Sequence, residues 1–300
     1  MQAPPDNLLT ARDWLLWAER RFSEEGLFFG HGCDNAFDEA AWLILHAINQ
    51  PHDRLDEILD IKLDPNQRQS IYGLLNRRIS KRIPSAYLTR QAWLGGYDFY
   101  VDERVIVPRS YFAELLAEGL SPWLNDGMPV TRALDLCSGS GCLAILMAMT
   151  FGDAKIDAVD LSSSALEVAR INVDHYHLGA RIKLIESDLF VAISTRQYDV
   201  IISNPPYVTR DAMSTLPAEY LHEPGLALAA GDDGLDVVRR ILRDSARHLT
   251  TQGILLVEIG HNADLVEAAF PSVPFTWIDT ASSEQKIFLL SRQELQEYFT

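Results

Sequence analysis

Segments with the pattern of buried strands alternate with segments of helical periodicity from Arg132 onward, and this alternation constrains the fold more than any other feature of the sequence. The strand patterns are RALDLC, KIDAVD, RIKLIES and YDVIIS, with one helix expected from about Gly141 and another over SSSALEVARINVDHY. Parallel strands need crossover connections of about a dozen residues or more, which are usually helices. The alternation therefore predicts an α/β fold in which helices cover both faces of a parallel sheet.

Three more strand patterns, GILLVEIG, FTWIDT and KIFLLS, follow towards the C-terminal end, with a helix expected near Ala263 to Ala269. The last two strands are close enough in sequence to pair as antiparallel neighbours. The expected architecture is thus a Rossmann-like sheet that is parallel except for an antiparallel C-terminal strand.

The first third of the chain has a different pattern. Apolar residues recur there at helical spacing, as in DWLLWAERRF, which predicts a small helical domain over residues 1–91. The next segment, WLGGYDFYVDERVIV, places a Gly-Gly pair between aromatic and β-branched residues, and this predicts a β-hairpin linker over residues 92–107. The α/β domain is then expected over residues 108–300.

Composition limits the class of protein. The chain is 47% hydrophobic and 23% charged, with a formal net charge of −16. No apolar run approaches the ~18 residues of a spanning helix, and the start lacks the pattern of a signal peptide, so we expect a cytoplasmic protein without membrane association. An acidic total repels phosphate backbones and suits basic partners, so direct DNA binding is not expected, and the basic run Arg77 to Arg82 is interpreted as a solvated helix face.

Cysteine and histidine residues give no metal-binding or redox pattern. Cys33, Cys137 and Cys142 form no even framework and no C-x-x-C pair, which argues against disulfides and against a metal site. Cys137 and Cys142 are interpreted as small packing residues rather than nucleophiles. His31 and His222 are not expected to act directly in catalysis.

A glycine-rich loop joins the first strand of the sheet to its helix. In DLCSGSGCLA, Gly139, Gly141 and Ala144 satisfy G-x-G-x-x-A, and Asp160 ends the next strand about 20 residues further on. Such glycines let a backbone approach a ligand closely, and such a carboxylate accepts both hydroxyls of a ribose. The pattern predicts nucleoside binding, and by itself it leaves open a nicotinamide cofactor, S-adenosylmethionine or a merely structural turn.

Two further loops follow the third and fourth strands. In ESDLF, Asp188 is a candidate acceptor for an adenine amino group and Leu189 a candidate packing partner for the ring. In NPPY, Asn204 and Pro205 offer a side-chain oxygen and a backbone carbonyl, and Tyr207 offers an aromatic face. Because the carboxyl ends of parallel strands line one crevice, all these loops are expected to converge.

The NPPY loop suits a particular chemistry. An amide or exocyclic amino nitrogen is a poor nucleophile, because its lone pair is delocalised into the adjacent π-system. Acceptors that hold its two N–H groups can fix such a nitrogen in line with an electrophilic methyl group, which is catalysis by positioning.

With these motifs the sequence resembles the class I S-adenosylmethionine-dependent methyltransferases and, within them, the protein glutamine N5-methyltransferases. The resemblance covers nearly the whole chain, and its motifs in order are VIVPRS, DLCSGSGCLAI, ESDLF, NPPYV, HEPGLALAAGDDGL and LLVEIG. It implies a cofactor site formed by Cys137, Ser138, Gly139, Ser140, Gly141, Asp160, Asp188, Leu189 and Asn204. It implies that the substrate amide is held by Asn204, Pro205, Pro206 and Tyr207, the first, second and last of which are the catalytic candidates.

Arg109 is a further candidate substrate-binding residue. Its guanidinium is equally suited to pair with a carboxylate of cofactor or substrate and to brace the linker.

Two branches of the family differ in substrate: one modifies the Gly-Gly-Gln glutamine of release factors, and the other a glutamine of large-subunit ribosomal protein three. The release-factor branch continues after VPR with Pro-Glu-Thr, whereas this chain has Ser110, Tyr111 and Phe112. Its segment LFFGHGCDNAFDEAAWL is similar to the ribosomal-protein branch. The ribosomal protein is therefore the expected substrate and partner, with release factors as the alternative.

Three other hypotheses remain open. Adenine-N6 nucleic-acid methyltransferases share NPPY, but the acidic total and the lack of a recognisable target-recognition domain count against them. A nicotinamide dehydrogenase would leave NPPY without a role. A non-catalytic ribosome assembly factor could keep the fold, although every expected catalytic position is filled.

Overall fold

The computed structural model describes residues 7–124 and 129–299. The chain divides into two compact units. One consists of the residues up to Ala92 together with Pro217–His222, and the other of the residues from Trp93 to Leu216 and from Glu223 onward. The chain therefore leaves the second unit and returns to it within a short segment.

The first unit is helical and has its own apolar core. The three longest of its described helices begin at polar residues that cap them: Thr10 and Asp64 each form a reciprocal capping box, and Asn35 caps the second helix. The core includes Trp14 and Phe22, both fully buried. The elements are α1 (Ala11–Glu24), α2 (Ala36–Ala47), α3 (Leu55–Ile58), α4 (Pro65–Lys81), α5 (Ser85–Thr89) and 3₁₀ turns over His52–Arg54 and Ala218–His222.

Arg78 of α4 is buried in this unit, so the expectation that the whole basic run is a solvated face was wrong at this position. The side chain is 1% exposed, and its Nε donates to the carboxylate of Glu39. Its Nη1 donates to Glu219 Oε1 at 3.0 Å, and its Nη2 donates to the carbonyl of Phe28 at 2.8 Å. A buried guanidinium needs such partners, because an unpaired charge away from water is strongly destabilising. Arg77 and Lys81 are exposed, as expected.

A short hairpin, β1 (Ala92–Leu94) and β2 (Tyr97–Phe99), follows the helical segment. It turns through the Gly-Gly pair, where both glycines have positive φ. The predicted hairpin linker covers residues 92–107, whereas the second strand of the hairpin ends at Phe99. The next backbone N–H, of Tyr100, donates to the side chain of Asn172 at 2.7 Å instead of pairing in a strand.

The second unit is built on a seven-stranded sheet in the order β5-β4-β3-β6-β7-β9-β8. All the pairs are parallel except those of β9, which runs antiparallel to β7 and β8. The predicted fold class is confirmed. The strands are β3 (Arg132–Leu136), β4 (Lys155–Asp160), β5 (Ile182–Glu186), β6 (Tyr198–Ser203), β7 (Leu249–Glu258), β8 (Thr276–Thr280) and β9 (Ser283–Ser291).

Helices cover both faces of this sheet. Successive residues of the central strands alternate between two apolar cores, as with Ala133 in one core and Leu134 in the other. This double burial explains why the strand patterns are almost continuously apolar. The helices are α6 (Phe112–Ala117), α7 (Cys142–Thr150), α8 (Ser163–His175), α9 (Arg210–Met213), α10 (Asp236–Ser245), α11 (Ala263–Ala269) and α12 (Arg292–Phe299), with 3₁₀ turns over Val191–Ile193, Gly225–Ala227 and Ala246–His248.

The strand order reverses between β3 and β6, because β4 and β5 lie on one side of β3 and β6 and β7 on the other. In open α/β sheets, ligands bind at the carboxyl ends of the strands beside such a reversal. The loops after β3, β4, β5 and β6 therefore meet at one edge. Within the described part of the chain, no helix has the length and apolar character needed to cross a membrane.

Candidate functional site

The loop after β3 is shaped by residues in the left-handed region. Cys137 has a φ of 62° and Gly139 a φ of 52°, and the Gly139 N–H donates to Asp160 Oδ2 at 2.8 Å. A Cβ added to Gly139 would meet no atom within 4 Å, so the space beside it is open. The loop thus presents bare backbone to a cavity, as the sequence predicted for a nucleoside site.

Asp160 is held rigidly at the end of β4. Its Oδ1 accepts the Ser162 N–H at 2.8 Å, while its Oδ2 accepts from the glycine loop. Burial raises the pKa of Asp160, and the backbone N–H groups of Ser162 and Gly139 oppose that rise. Each carboxylate oxygen keeps a further lone pair for a ligand hydroxyl.

Gly141 has a different role from Gly139. It has a φ of 76°, and a Cβ there would lie 3.0 Å from the Cβ of Ala169 on α8. The residue therefore permits close packing of α7 on α8 rather than the approach of a ligand.

Asp188 lies after β5 and is about half exposed. Its carboxylate pairs with Arg240 of α10 at 2.8 Å, and both side chains are well solvated. Such a pair contributes little stability. The neighbouring Leu189 is buried, with a φ of 50°.

These loops surround a cavity of about 170 Å³ in the second unit. The predicted site residues that line it are Cys137, Gly139, Asp160, Asp188, Leu189, Asn204 and Pro206. Those outside the lining are Ser138, Ser140, Gly141, Pro205, Tyr207 and Arg109. Carboxylates and an open glycine backbone between apolar walls fit a nucleoside, whose hydroxyl and amino groups are donors and whose base is flat.

Part of the apolar wall escaped prediction. Pro224, Leu226 and Ala227, around a 3₁₀ turn, and Val237 of α10 also line the cavity. Pro224, Leu226 and Ala227 belong to the motif HEPGLALAAGDDGL, but these three side chains are apolar and carry no group that identifies a ligand contact.

Asn204 follows β6 and is partly buried. Its Nδ2 donates to Glu258 Oε1 at 3.0 Å. Glu258 ends β7, is 1% exposed, and accepts further hydrogen bonds from the Ser110 hydroxyl and the Tyr111 N–H. Burial raises the pKa of Glu258 to about 7, against the opposing effect of these donors and of Arg109.

Sequence reasoning missed Glu258, although a signal was present. It is the only charged residue in the strand pattern GILLVEIG, where the apolar neighbours predict burial. A buried carboxylate needs donors around it, which makes such a residue a candidate for a polar site.

Tyr207 packs against the turn after β7. A Cβ added to Gly260 would lie 2.6 Å from a ring carbon of Tyr207, and Gly260 has a φ of 56°. The Tyr207 carbonyl accepts from Asn262 Nδ2 at 2.6 Å. The aromatic ring is therefore fixed from one side by a glycine turn.

Arg109 braces its own segment. Its two terminal nitrogens bind the two oxygens of Glu223, one of them at 2.7 Å, and Nη1 also donates to the Val107 carbonyl at 3.1 Å. The Glu223 side chain is fully buried. Of the two interpretations of Arg109, the structure shows the bracing contact.

The remaining cysteine and histidine candidates lie in packing environments. Burial raises the pKa of Cys142 to about 12 and also raises that of Cys137, so neither is a thiolate near neutral pH. His31 packs against Tyr220 with ring centroids 4.5 Å apart, and His222 Nε2 bonds the Lys81 carbonyl at 2.8 Å. Both histidines belong to the helical unit.

Comparisons with known proteins agree with this geometry. Residues 113–231 match the family model of the methyltransferase small domain. The ribosomal protein uL3 glutamine methyltransferase of Neisseria meningitidis serogroup B is 56% identical over 96% of this chain and 95% of its own length. The protein of the same name from Bordetella pertussis is 52% identical over 96% of this chain and 97% of its own length.

Among solved structures, the hMettl16 catalytic domain superposes with a TM-score of 0.50 at 16% identity, covering 76% of this chain and 81% of its own. That likeness supports the fold alone. The relatives confirm the resemblance, the enzyme class and the cofactor expected from the sequence: the protein is a methyltransferase whose methyl donor is S-adenosylmethionine. The chain belongs to the family of ribosomal protein uL3 glutamine methyltransferases.

Proposed function

We propose that this protein transfers a methyl group to the side-chain amide nitrogen of a glutamine in ribosomal protein uL3. The observation that carries the proposal is that relatives 56% to 41% identical, over 96% to 98% of this chain, are named ribosomal protein uL3 glutamine methyltransferases. The sequence left methylation of release factors as the alternative, and the names of these relatives do not support it.

Cofactor binding is assigned to the cavity-lining residues. Asp160 accepts the ribose hydroxyls, and Asp188 accepts from the adenine amino group while Leu189 packs on the ring. Cys137 and Gly139 shape the loop beside the ligand, and this proposal is supported by their positions in the lining. Ser138, Ser140 and Gly141 act from behind the loop, since they are buried and lie outside that lining. S-adenosylmethionine supplies a methyl group bound to a sulfonium, which is an electrophile.

The substrate amide is assigned to the NPPY loop. Asn204 Oδ1 and the Pro205 carbonyl accept the two N–H groups of the glutamine amide, Pro206 forms the cavity wall beside them, and the Tyr207 ring stacks on the amide plane. This holds the nitrogen lone pair towards the methyl carbon. The bound cofactor would supply the methyl group to this nitrogen, its S–C bond breaking as the N–C bond formed, and the nitrogen would then lose one proton to water. Arg109 acts indirectly, by holding the segment that contains Ser110.

The net charge of −16 supports a basic protein partner, because an acidic enzyme attracts a cationic substrate over long range. The same charge disfavours nucleic acid as the methyl acceptor. The test presents purified uL3 and purified release factor separately to the enzyme with labelled cofactor, and peptide mass spectrometry then locates the label. We expect label on one glutamine of uL3. Label on the release factor alone, or on neither protein, contradicts the proposal.

A further inference from the structure

The catalytic asparagine has a buried partner with no assigned role. Glu258 Oε1 accepts from Asn204 Nδ2 at 3.0 Å, and the other carboxylate oxygen accepts from the Ser110 hydroxyl and, at 3.2 Å, from the Tyr111 N–H. Glu258 is 1% exposed. A carboxylate placed there costs desolvation energy, so its position next to Asn204 calls for an explanation.

The contact decides which way the asparagine amide points. An amide has a donor end and an acceptor end of nearly equal size, so shape alone does not choose between the two orientations. Above its pKa of about 7 the Glu258 carboxyl is ionised and only accepts, so it holds the Nδ2 end. Oδ1 is then the end left for a substrate N–H, and no hydrogen bond occupies it among the residues that the structure describes. In the flipped orientation, Oδ1 would face the accepting oxygen of Glu258, and Nδ2 would face the donor N–H groups of the substrate.

We propose that Glu258 is a positioning residue that fixes the Asn204 amide with its oxygen towards the substrate, and that Ser110 and Tyr111 hold Glu258 in place. The proposal rests on the proposed function, because it concerns the acceptor for the glutamine amide. Glu258 does not touch the reacting atoms.

This assigns a task to the segment in which the chain departs from the release-factor pattern. Ser110 and Tyr111 supply the donors to one oxygen of Glu258, and the following Phe112 is fully buried and anchors the start of α6. The Ser110 hydroxyl also accepts the Phe112 N–H at 3.2 Å, which fixes the direction of its own donor. Of the two donors to Glu258, the Ser110 hydroxyl depends on the side chain at that position, whereas the Tyr111 N–H is a backbone group.

An exchange of polarity tests the proposal. In Glu258→Gln, the new side-chain NH₂ group faces another donor, which is either Asn204 Nδ2 or the Tyr111 N–H. In Asn204→Asp, two carboxylates face each other. Each single substitution should lower kcat about 100-fold, the loss typical of one misplaced hydrogen-bonding group in an active site. The Asn204→Asp/Glu258→Gln double substitution restores one donor and one acceptor and keeps the total charge. We expect its kcat to exceed that of each single variant about 10-fold or more.

Three readouts separate positioning from a merely structural role. Cofactor affinity, measured by calorimetry, should stay near the wild-type value in Glu258→Gln, which lies outside the cavity lining, so that the loss in this variant appears in kcat. The three variants should not rank in the same order by melting temperature as by kcat. Ser110→Ala, which removes one donor to Glu258, should lower kcat by a smaller factor than Glu258→Gln.

Two results would overturn the proposal: near-normal kcat in Glu258→Gln, or losses in the double variant as large as the product of the single losses. If Glu258→Gln does not fold, the kcat of Asn204→Asp is compared with that of the double variant, and a double variant that is no faster overturns the proposal. The assays use whichever protein the wild-type enzyme labels. A failure of uL3 as substrate is therefore seen with the wild-type enzyme and is distinguishable from a failure of this inference.

Discussion

At the residue scale, the Asp160 carboxylate accepts a hydrogen bond from the glycine loop. We also propose that it accepts the hydroxyl groups of the cofactor's ribose. Its neutral, nearly isosteric variant Asp160→Asn keeps one acceptor and loses the charge. A charge-assisted hydrogen bond contributes about 1.5–3 kcal/mol, so cofactor affinity should fall roughly ten-fold to more than a hundred-fold. Calorimetric titration measures it, with Asp174→Asn, an exposed carboxylate on α8, as the matched control. An unchanged affinity would remove Asp160 from the site.

Asn204→Ala should separate chemistry from binding. The side chain is assigned to orient the substrate amide, so kcat should fall by about two orders of magnitude or more while cofactor affinity and Tm change little. Tyr207→Phe should be milder, because the ring face survives. Steady-state kinetics on uL3 measures both variants. A near-normal kcat in Asn204→Ala would rule out the assigned mechanism.

At the element scale, strands were easier to predict than helices. The strand patterns of β3 to β6 gave their positions within a residue or two, because both faces of these strands are buried and their composition is dominated by apolar residues. The helices α10 and α12 and the 3₁₀ turns were not predicted. In α10 the buried residues Val238, Ile241, Leu242 and Ser245 recur at the spacing of an amphipathic helix, so the sequence contained a signal for this helix that was overlooked.

The site divides in the same way. Asp160, Asp188 and Asn204 could be predicted as site residues from the sequence because each belongs to a local motif at a strand end. Glu258 was not, because its relation to Asn204 spans 54 residues and depends on β6 and β7 being neighbours. The spacing of residues within a short motif cannot predict a contact between two such distant residues. The contact can be predicted only when the order of the strands in the sheet is known.

The turn after β7 allows a test at the same scale. Gly260→Ala puts a methyl group against the Tyr207 ring at a positive φ, so it should destabilise the fold by about 1–3 kcal/mol and lower kcat. Gly152→Ala is the matched control, because its added Cβ meets no atom within 4 Å and its φ is not positive. Urea denaturation compares the two variants. Equal stability of both would contradict the close contact between Gly260 and Tyr207.

At the scale of the whole molecule, a buried carboxyl links folding stability to pH. Burial raises the pKa of Asp135 to about 7, and its Oδ1 has no hydrogen-bond partner among the described residues. A group with a raised folded pKa stabilises the protein fully below its unfolded pKa, and this stability is lost as the pH rises to the folded value. For Asp135 the loss occurs between about pH 4 and pH 7 and is on the order of 4 kcal/mol.

Asp135→Asn removes this titration. The variant should be close to the wild type in stability near pH 4 and more stable than it at pH 8, because only the wild type must then bury a charge. Urea denaturation of both proteins at several pH values measures the difference. A difference that does not grow with pH would show that the Asp135 carboxyl titrates normally in the folded protein.

The segment Pro217–His222 has a consequence for synthesis on the ribosome. The helical unit is made first, but Glu219, which neutralises the buried Arg78, lies 141 residues later in the chain. At roughly 5–20 residues per second, this delay is about 7–28 s. During that interval the nascent helices contain a guanidinium that lacks one of its two carboxylates. The amino-terminal unit of this protein is therefore completed only after most of the catalytic sheet has been translated.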